Sequence, residues 1–255
     1  MIPLTFQYFI LCHLIGDYYF QTQQMAARKQ KELRALVVHC GLYSVPFLSA
    51  FILYDDSFVA LRYWISLSLA QAIVDFIKYF WSRRFSVIAK EYSQWLFLLD
   101  QASHLLLGFL VISVLALRLP QTVVDSEVWS LFLSWSAYLL LLFKPTNICF
   151  KLVFGKYQQS YHEEEVTERN IIQKKPLEET VSGAGALIGN LERMIMAIFL
   201  NLGQFAALAI VMTAKSITRY NKIAKEPAFA EYYLIGTLYS ILVTLIGFFL
   251  FVYRL

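Results

Sequence analysis

The sequence predicts an all-α protein, a polytopic transmembrane helix bundle of about seven hydrophobic segments whose first four form an N-terminal four-helix bundle carrying a polar site. Three observations predict it. Of the 255 residues, 58% are hydrophobic and only 16% are charged, against about 25% charged in a soluble domain. Several apolar runs reach the roughly 20 residues that cross a bilayer as a helix. Inside those runs, histidines and aspartates recur four residues apart, which is one helical turn. A soluble enzyme with a single anchor is excluded by the number of runs.

The segments fall at about 4–22, 35–54, 59–81, 94–118, 128–150, 187–214 and 231–253. Two regions follow: 1–120, the four-helix bundle with the His/Asp site, and 121–255, a C-terminal transmembrane region with a cytoplasmic loop at about 151–186. The first segment carries His13 and Asp17 and lacks a basic start and a small-residue cleavage site, so it reads as structure and not as a secretory signal. Cys12, Cys40 and Cys149 lie in or beside apolar runs without Cys-x-x-Cys spacing and read as free buried thiols.

Charge in the connections sets the orientation. Arg28, Lys29, Lys31 and Arg34 follow the first segment, whereas Asp55 and Asp56 follow the second. Arg83, Arg84 and Lys90 follow the third, and Asp125 and Glu127 lie between the fourth and fifth. Basic loops alternate with acidic ones, the positive-inside pattern, which places the N-terminus outside a bacterial cytoplasmic (inner) membrane. The loop at 151–186 has mixed charge and few apolar residues, as a solvated segment should. Lys215, Arg219, Lys222 and Lys225 break the alternation if 187–214 crosses. The segment either crosses or bends at Asn201-Leu202-Gly203 and returns as a hairpin. About 22 apolar residues are few for two passages, which favours crossing. Lys144-Pro145 predicts a kink near the end of the fifth segment.

In the first four segments, His13 and Asp17, Gln71 and Asp75, and Asp100 and His104 each lie one turn apart, with His39 alone in the second. Alternating orientation puts Asp17, His39, Asp75 and Asp100 at similar depth, within roughly 10 Å of the inner surface at about 1.5 Å per residue. His13, Gln71 and His104 form a layer about 6 Å deeper. Ionisable groups at membrane depth are costly unless they serve a bound species. Imidazole with carboxylate suits a divalent metal, zinc before iron or manganese, as one or two ions. The expected ligands are His13, Asp17, His39, Asp75, Asp100 and His104, with Asp17, Asp75 and Asp100 also the candidates for a catalytic base. Gln21, Gln71, Lys78 and Gln101 are placed to orient those ligands or balance their charge. A proton or ion relay and a purely structural polar network are the competing readings. Late in the chain, Glu192 and Arg193 read as an interfacial pair, and Lys215 and Arg219 either snorkel or form a basic rim for anionic lipid headgroups.

The pieces His13-Leu14-Ile15-Gly16-Asp17, Gln21, Met25-Ala26, Lys29, His39, Asp75 with Lys78, and Asp100-Gln101 with His104 resemble a bacterial multi-pass membrane protein family of unknown function (domain of unknown function family 3307). Leu191-Glu192-Arg193, Ala214-Lys215-Ser216 and Tyr233-Leu234-Ile235-Gly236-Thr237 resemble its C-terminal half. The resemblance implies a histidine where this chain has Gln71, and so one metal fewer or a weaker one here. It implies no reaction.

The site points to a metal-dependent membrane hydrolase acting on a lipid or lipid-linked substrate at headgroup depth, with no nucleic-acid partner. A metal-ion or proton transporter would use the same residues. A membrane scaffold or sensor would bind a partner through 151–186.

Overall fold

The computed structural model describes residues 3–85, 92–155, 157 and 183–253. Lys90 and almost all of the 151–186 loop lie outside the described residues. The chain divides into two compact units, Met1–Leu140 and Leu141–Leu255. Among the described residues every regular element is helical, and the protein is a polytopic transmembrane helix bundle. Five helices are long and apolar enough to cross a membrane: Leu33–Leu53, Ser57–Arg84, Ser93–Val114, Glu127–Gly155 and Pro227–Val252.

The two remaining predicted segments take other forms. The first is α1, Leu4–Leu14, continued by a π-helical turn over Ile15–Tyr19. Together they rise only about 24 Å, short of the roughly 30 Å hydrocarbon core. Helix α1 is largely enclosed by its neighbours: Gln7, Tyr8, Phe9, Leu11, Cys12, His13 and Leu14 are buried. Two glycines let its neighbours close in. A Cβ on Gly16 would sit 2.8 Å from Tyr43 Cδ2, and one on Gly108 would sit 2.0 Å from Phe9 Cζ. The short helix α2, Gln23–Arg28, follows, its first turn capped by Thr22 Oγ1, which accepts from the Met25 amide.

The second span is α3, Leu33–Ser44, whose axis tightens into a 3-10 turn at Pro46–Ser49 before α4, Ala50–Leu53. Pro46 has no amide hydrogen, so the α-helical ladder cannot run through it. Helix α5, Ser57–Arg84, starts at the Asp56 cap, where Oδ1 accepts from the Phe58 amide. Helix α6, Ser93–Val114, packs against α5 and ends at Ala116, a left-handed residue with φ 50°. The short α7, Gln121–Val124, leads to α8, Glu127–Leu142. The helix breaks at Phe143 and resumes with Pro145 in its first turn, the kink that Lys144-Pro145 predicts.

In the second unit the predicted crossing at 187–214 gives way to a hairpin. Helix α9, Ala184–Asn201, stops at a turn whose Gly203 takes φ 68°, and α10, Ala207–Thr218, runs back along it. The return brings Lys215 Nζ to 2.7 Å from Glu192 Oε2. Arms of 18 and 12 residues rise about 27 and 18 Å, and neither is among the five helices long and apolar enough to cross a membrane. A short helix α11, Tyr220–Lys225, precedes the last span, α12, Pro227–Gly247, which ends in a π-helical turn at Phe248–Val252.

Candidate metal centre

The site assembles from four helices of the first unit, each supplying one face. From the π turn comes Asp17, from α3 His39, from α5 Gln71 and Asp75, and from α6 Asp100 and His104. All six of these residues are buried, as is His13 on α1. A π turn inserts one extra residue into the helical register. Here it falls where His13, Asp17 and Tyr18 all turn inward.

Between Asp17, His39 and Asp75 lies a residue that the hydrophobic segments do not contain. Lys29, at the end of α2, is 6% exposed. Its ammonium lies 2.9 Å from His39 Nε2, 3.1 Å from Asp75 Oδ1 and 3.5 Å from Asp17 Oδ1. Burial alone would lower the pKa of this amine, but Asp17 and then Asp75 overcome burial and hold it above its ordinary 10.5. Lys29 is therefore a fixed cation, already present where the sequence suggested an ion.

A second group adjoins it. Asp75, Asp100 and His104 each offer a ligand atom, and these atoms lie within 4.8 Å of one another. This buried group is able to hold a metal ion. Asp100 Oδ2 accepts from Lys78 Nζ at 2.6 Å. Its other oxygen, Oδ1, has no hydrogen-bond partner among the described residues, and neither does His104 Nε2, although both are buried. The two orphaned atoms face each other at 3.7 Å, too far for a hydrogen bond.

Hydrogen bonding assigns the protons around them. Gln101 Nε2 donates to Asp17 Oδ2 at 2.8 Å, which fixes Gln101 Oε1 as the atom facing His13 Nε2 at 3.2 Å and accepting from Tyr18 at 2.8 Å. A carbonyl oxygen only accepts, so His13 carries a proton on Nε2, while its Nδ1 lies 2.7 Å from the Tyr43 hydroxyl, which donates to Gln71 Oε1 at 3.1 Å. Gln71 Nε2 donates to the His104 backbone carbonyl, which turns Gln71 Oε1 toward His104 Nδ1 at 2.6 Å. His104 therefore carries its proton on Nδ1 and presents a lone pair at Nε2, the tautomer a metal ligand needs.

The remaining predicted residues sit as follows. Gln21 donates to the Asp17 backbone carbonyl at 3.0 Å. His13 is tied into the Tyr43–Gln101 network and approaches His104 ring to ring at 5.5 Å. Lys215 pairs with Glu192 and lies over the Tyr233 ring, while Arg219 is exposed. Arg193 does not pair with Glu192. It donates to the Leu142 carbonyl at 2.6 Å, Asn147 Oδ1 at 2.6 Å, Asn190 Oδ1 at 2.8 Å and Ser240 Oγ at 3.3 Å.

Two site residues escape a reading based on apolar runs. Lys29 lies in a basic connection, where charge is read as topology and not as chemistry. Tyr43 lies one turn beyond His39 on α3, and that spacing is its only signal in the sequence.

A bundle of membrane-spanning helices closed around buried aspartates, histidines and a lysine defines an intramembrane polar centre. The chain belongs to the family described as protein of unknown function (DUF3307), whose model matches residues 5–133. That stretch contains Lys29 and every predicted aspartate and histidine of the centre. No curated protein and no solved structure matches the chain.

Proposed function

We propose that the centre binds one divalent metal ion, zinc by its donor set, through Asp75, Asp100 and His104, and that the protein is a metal-dependent hydrolase of a lipid or lipid-linked substrate in the bacterial inner membrane. The observation that carries this reading is the pair of buried, unpartnered atoms, Asp100 Oδ1 and His104 Nε2, 3.7 Å apart. A zinc-sized ion with bonds of about 2.0–2.2 Å separates two tetrahedral ligands by roughly 3.4 Å. An orphaned carboxylate oxygen and imidazole nitrogen cost free energy in an apolar interior, and an ion between them removes that cost.

Charge supports a hydrolytic role. Three aspartates against Lys29 and Lys78 leave the site with one negative charge, so one divalent ion leaves it with one positive charge. Such a site favours one further anion. A bound divalent ion supplies a water of lowered pKa and polarises an ester or phosphoryl oxygen. Asp17, paired with Lys29 at 3.5 Å and outside the three ligands, is the carboxylate left to take a proton. Lys78, with its side chain 22% exposed, is the cation that an anionic headgroup reaches from solvent.

Elemental analysis of purified protein tests the reading. About one zinc per chain is expected, lost in both Asp100→Asn and His104→Ala. Equal metal in all three preparations overturns it. The hydrolase reading further requires chelator-sensitive cleavage of an ester- or phosphate-linked lipid in vesicles, lost in the same variants.

A second reading has its own observation. Lys29, His39, Asp17 and Asp75 form one contiguous titratable group, as a proton or ion pathway requires. Proton or metal flux into proteoliposomes, abolished by His39→Ala, would favour it over hydrolysis.

A further inference from the structure

From Phe20 to Glu32 the chain forms a strap between the π turn and α3, and Lys29 is the one buried residue in it. No side chain of α2 is buried. The strap is tied to the bundle by the Lys29 contacts and by Gln21, whose amide donates to the Asp17 backbone carbonyl, while Met25 and Ala26 are only partly buried. The other end of that tether is unusual for a lysine. Its three partners, an imidazole nitrogen and two carboxylate oxygens, come from three different helices and converge on one cation. They are also close to one another: His39 Nε2 lies 3.2 Å from Asp75 Oδ2 and 3.6 Å from Asp17 Oδ1. Ligand atoms around one tetrahedral zinc stand roughly 3.4 Å apart. His39 Nδ1 is buried and has no hydrogen-bond partner, so the ring is not fixed by the backbone contact that an ordinary structural histidine makes. Asp75 belongs to this group and to the Asp75–Asp100–His104 group alike.

We propose that Asp17, His39 and Asp75 form a second cation site that the chain fills with its own Lys29, and that withdrawal of the strap exchanges this ammonium for a divalent ion. The result is a two-ion centre bridged by Asp75, the arrangement that clamps both oxygens of a displacement at phosphorus or at an ester carbon. This deepens the one-ion reading above and rests on it. Withdrawal exposes little apolar surface, because no side chain of α2 is fully buried and only Met25 and Ala26 are partly so. The exchange adds one positive charge to the site, so an anionic substrate group and the second ion reinforce each other's binding.

The test is a zinc titration of the full-length protein in detergent, read by elemental analysis after free metal is removed. Wild type should retain one ion, and Lys29→Met should retain about two. Adding Asp17→Asn to Lys29→Met should return it to one, and Asp100→Asn in the wild-type background should remove the first. In parallel, amine-reactive labelling of wild type, read at Lys29 by mass spectrometry, should increase at high zinc, because the ion expels the ammonium. This second measurement needs no variant to fold. One ion in Lys29→Met, or Lys29 labelling unchanged by zinc, overturns the proposal while leaving the one-ion reading standing. No zinc in wild type overturns both.

Discussion

The two units each bury a set of charges, and they satisfy them differently. In the second unit, Arg193 is 3% exposed, yet its donors meet two asparagine side chains, a serine hydroxyl and a backbone carbonyl. Its shell is neutral, and Glu192 beside it turns instead to Lys215. In the first unit, three carboxylates, three imidazoles and two ammonium groups crowd together, and His39 Nδ1, Asp100 Oδ1 and His104 Nε2 stay unpartnered. Buried polar groups that exist to pin helices are satisfied by their neighbours. Groups left unsatisfied next to like charges hold strain that a ligand relieves. The contrast separates a paired clasp from a centre that keeps unpartnered atoms within one chain.

The largest effect should come from removing the cation that holds the first unit together. Lys29→Ala leaves Asp17 and Asp75 facing each other without a counter-charge. Breaking one partner out of a buried pair costs about 3–5 kcal/mol. In metal-free protein the melting temperature should fall by on the order of 10 °C, and zinc should restore much of it by occupying the emptied position. A melting temperature unchanged by the substitution would mean that Lys29 is not the counter-ion the geometry makes it.

Arg193→Leu makes the matching break in the second unit. It strips the Leu142 carbonyl and Asn147 Oδ1 of a donor, while Asn190 keeps the Asn147 amide at 2.8 Å. Leaving buried acceptors unpaired costs about 1–3 kcal/mol, and removing the buried charge offsets part of it. Thermal stability should drop by less than in Lys29→Ala, and bound metal should not change. Loss of metal in Arg193→Leu would erase the distinction between clasp and centre.

Much of this was legible in the residues. The four-residue spacings of His13 with Asp17, Gln71 with Asp75, and Asp100 with His104 place each pair on one helix face, and apolar runs force those faces inward. The similar depth expected of Asp17, His39, Asp75 and Asp100 rests on charge alternation and helical rise. Lys29 was not legible as a site residue, because a loop lysine has no periodicity to say where its side chain returns. The hairpin at 187–214 left two signals, Asn201-Leu202-Gly203 and the basic run from Lys215. Counting apolar residues outweighed them, yet a hairpin puts Lys215, Arg219, Lys222 and Lys225 at the end where the α9 helix begins, which is the side that charge alternation requires of them. The roles of Gln71 and Gln101 depend on which way two amides point, and no sequence encodes that.

A smaller effect should follow from Gln71→Ala. The amide carbonyl that holds the proton on His104 Nδ1 disappears, and the ring is free to adopt the wrong tautomer. Loss of such an orienting partner lowers metal affinity by about 10–100-fold. Competition with a zinc chelator measures it, and the fold should persist. Gln71→His is the informative companion: it puts an imidazole beside Asp75 and should tighten zinc if Gln71 only orients. Equal affinity in wild type and Gln71→Ala would mean that His104 is not a ligand.

The smallest effect is expected at the strap. Thr22 Oγ1 accepts from the Met25 amide and closes the first turn of α2. Thr22→Ala should cost about 1 kcal/mol of local helix stability, and since α2 buries no side chain, the global melting temperature should barely move. What should change is the ease with which Lys29 leaves its partners. Faster amine-reactive labelling at Lys29 is expected, with first-equivalent zinc binding at Asp75, Asp100 and His104 unaltered. A Thr22→Ala protein that labels at the wild-type rate would show that the ammonium, and not the short helix behind it, sets how tightly the strap is held.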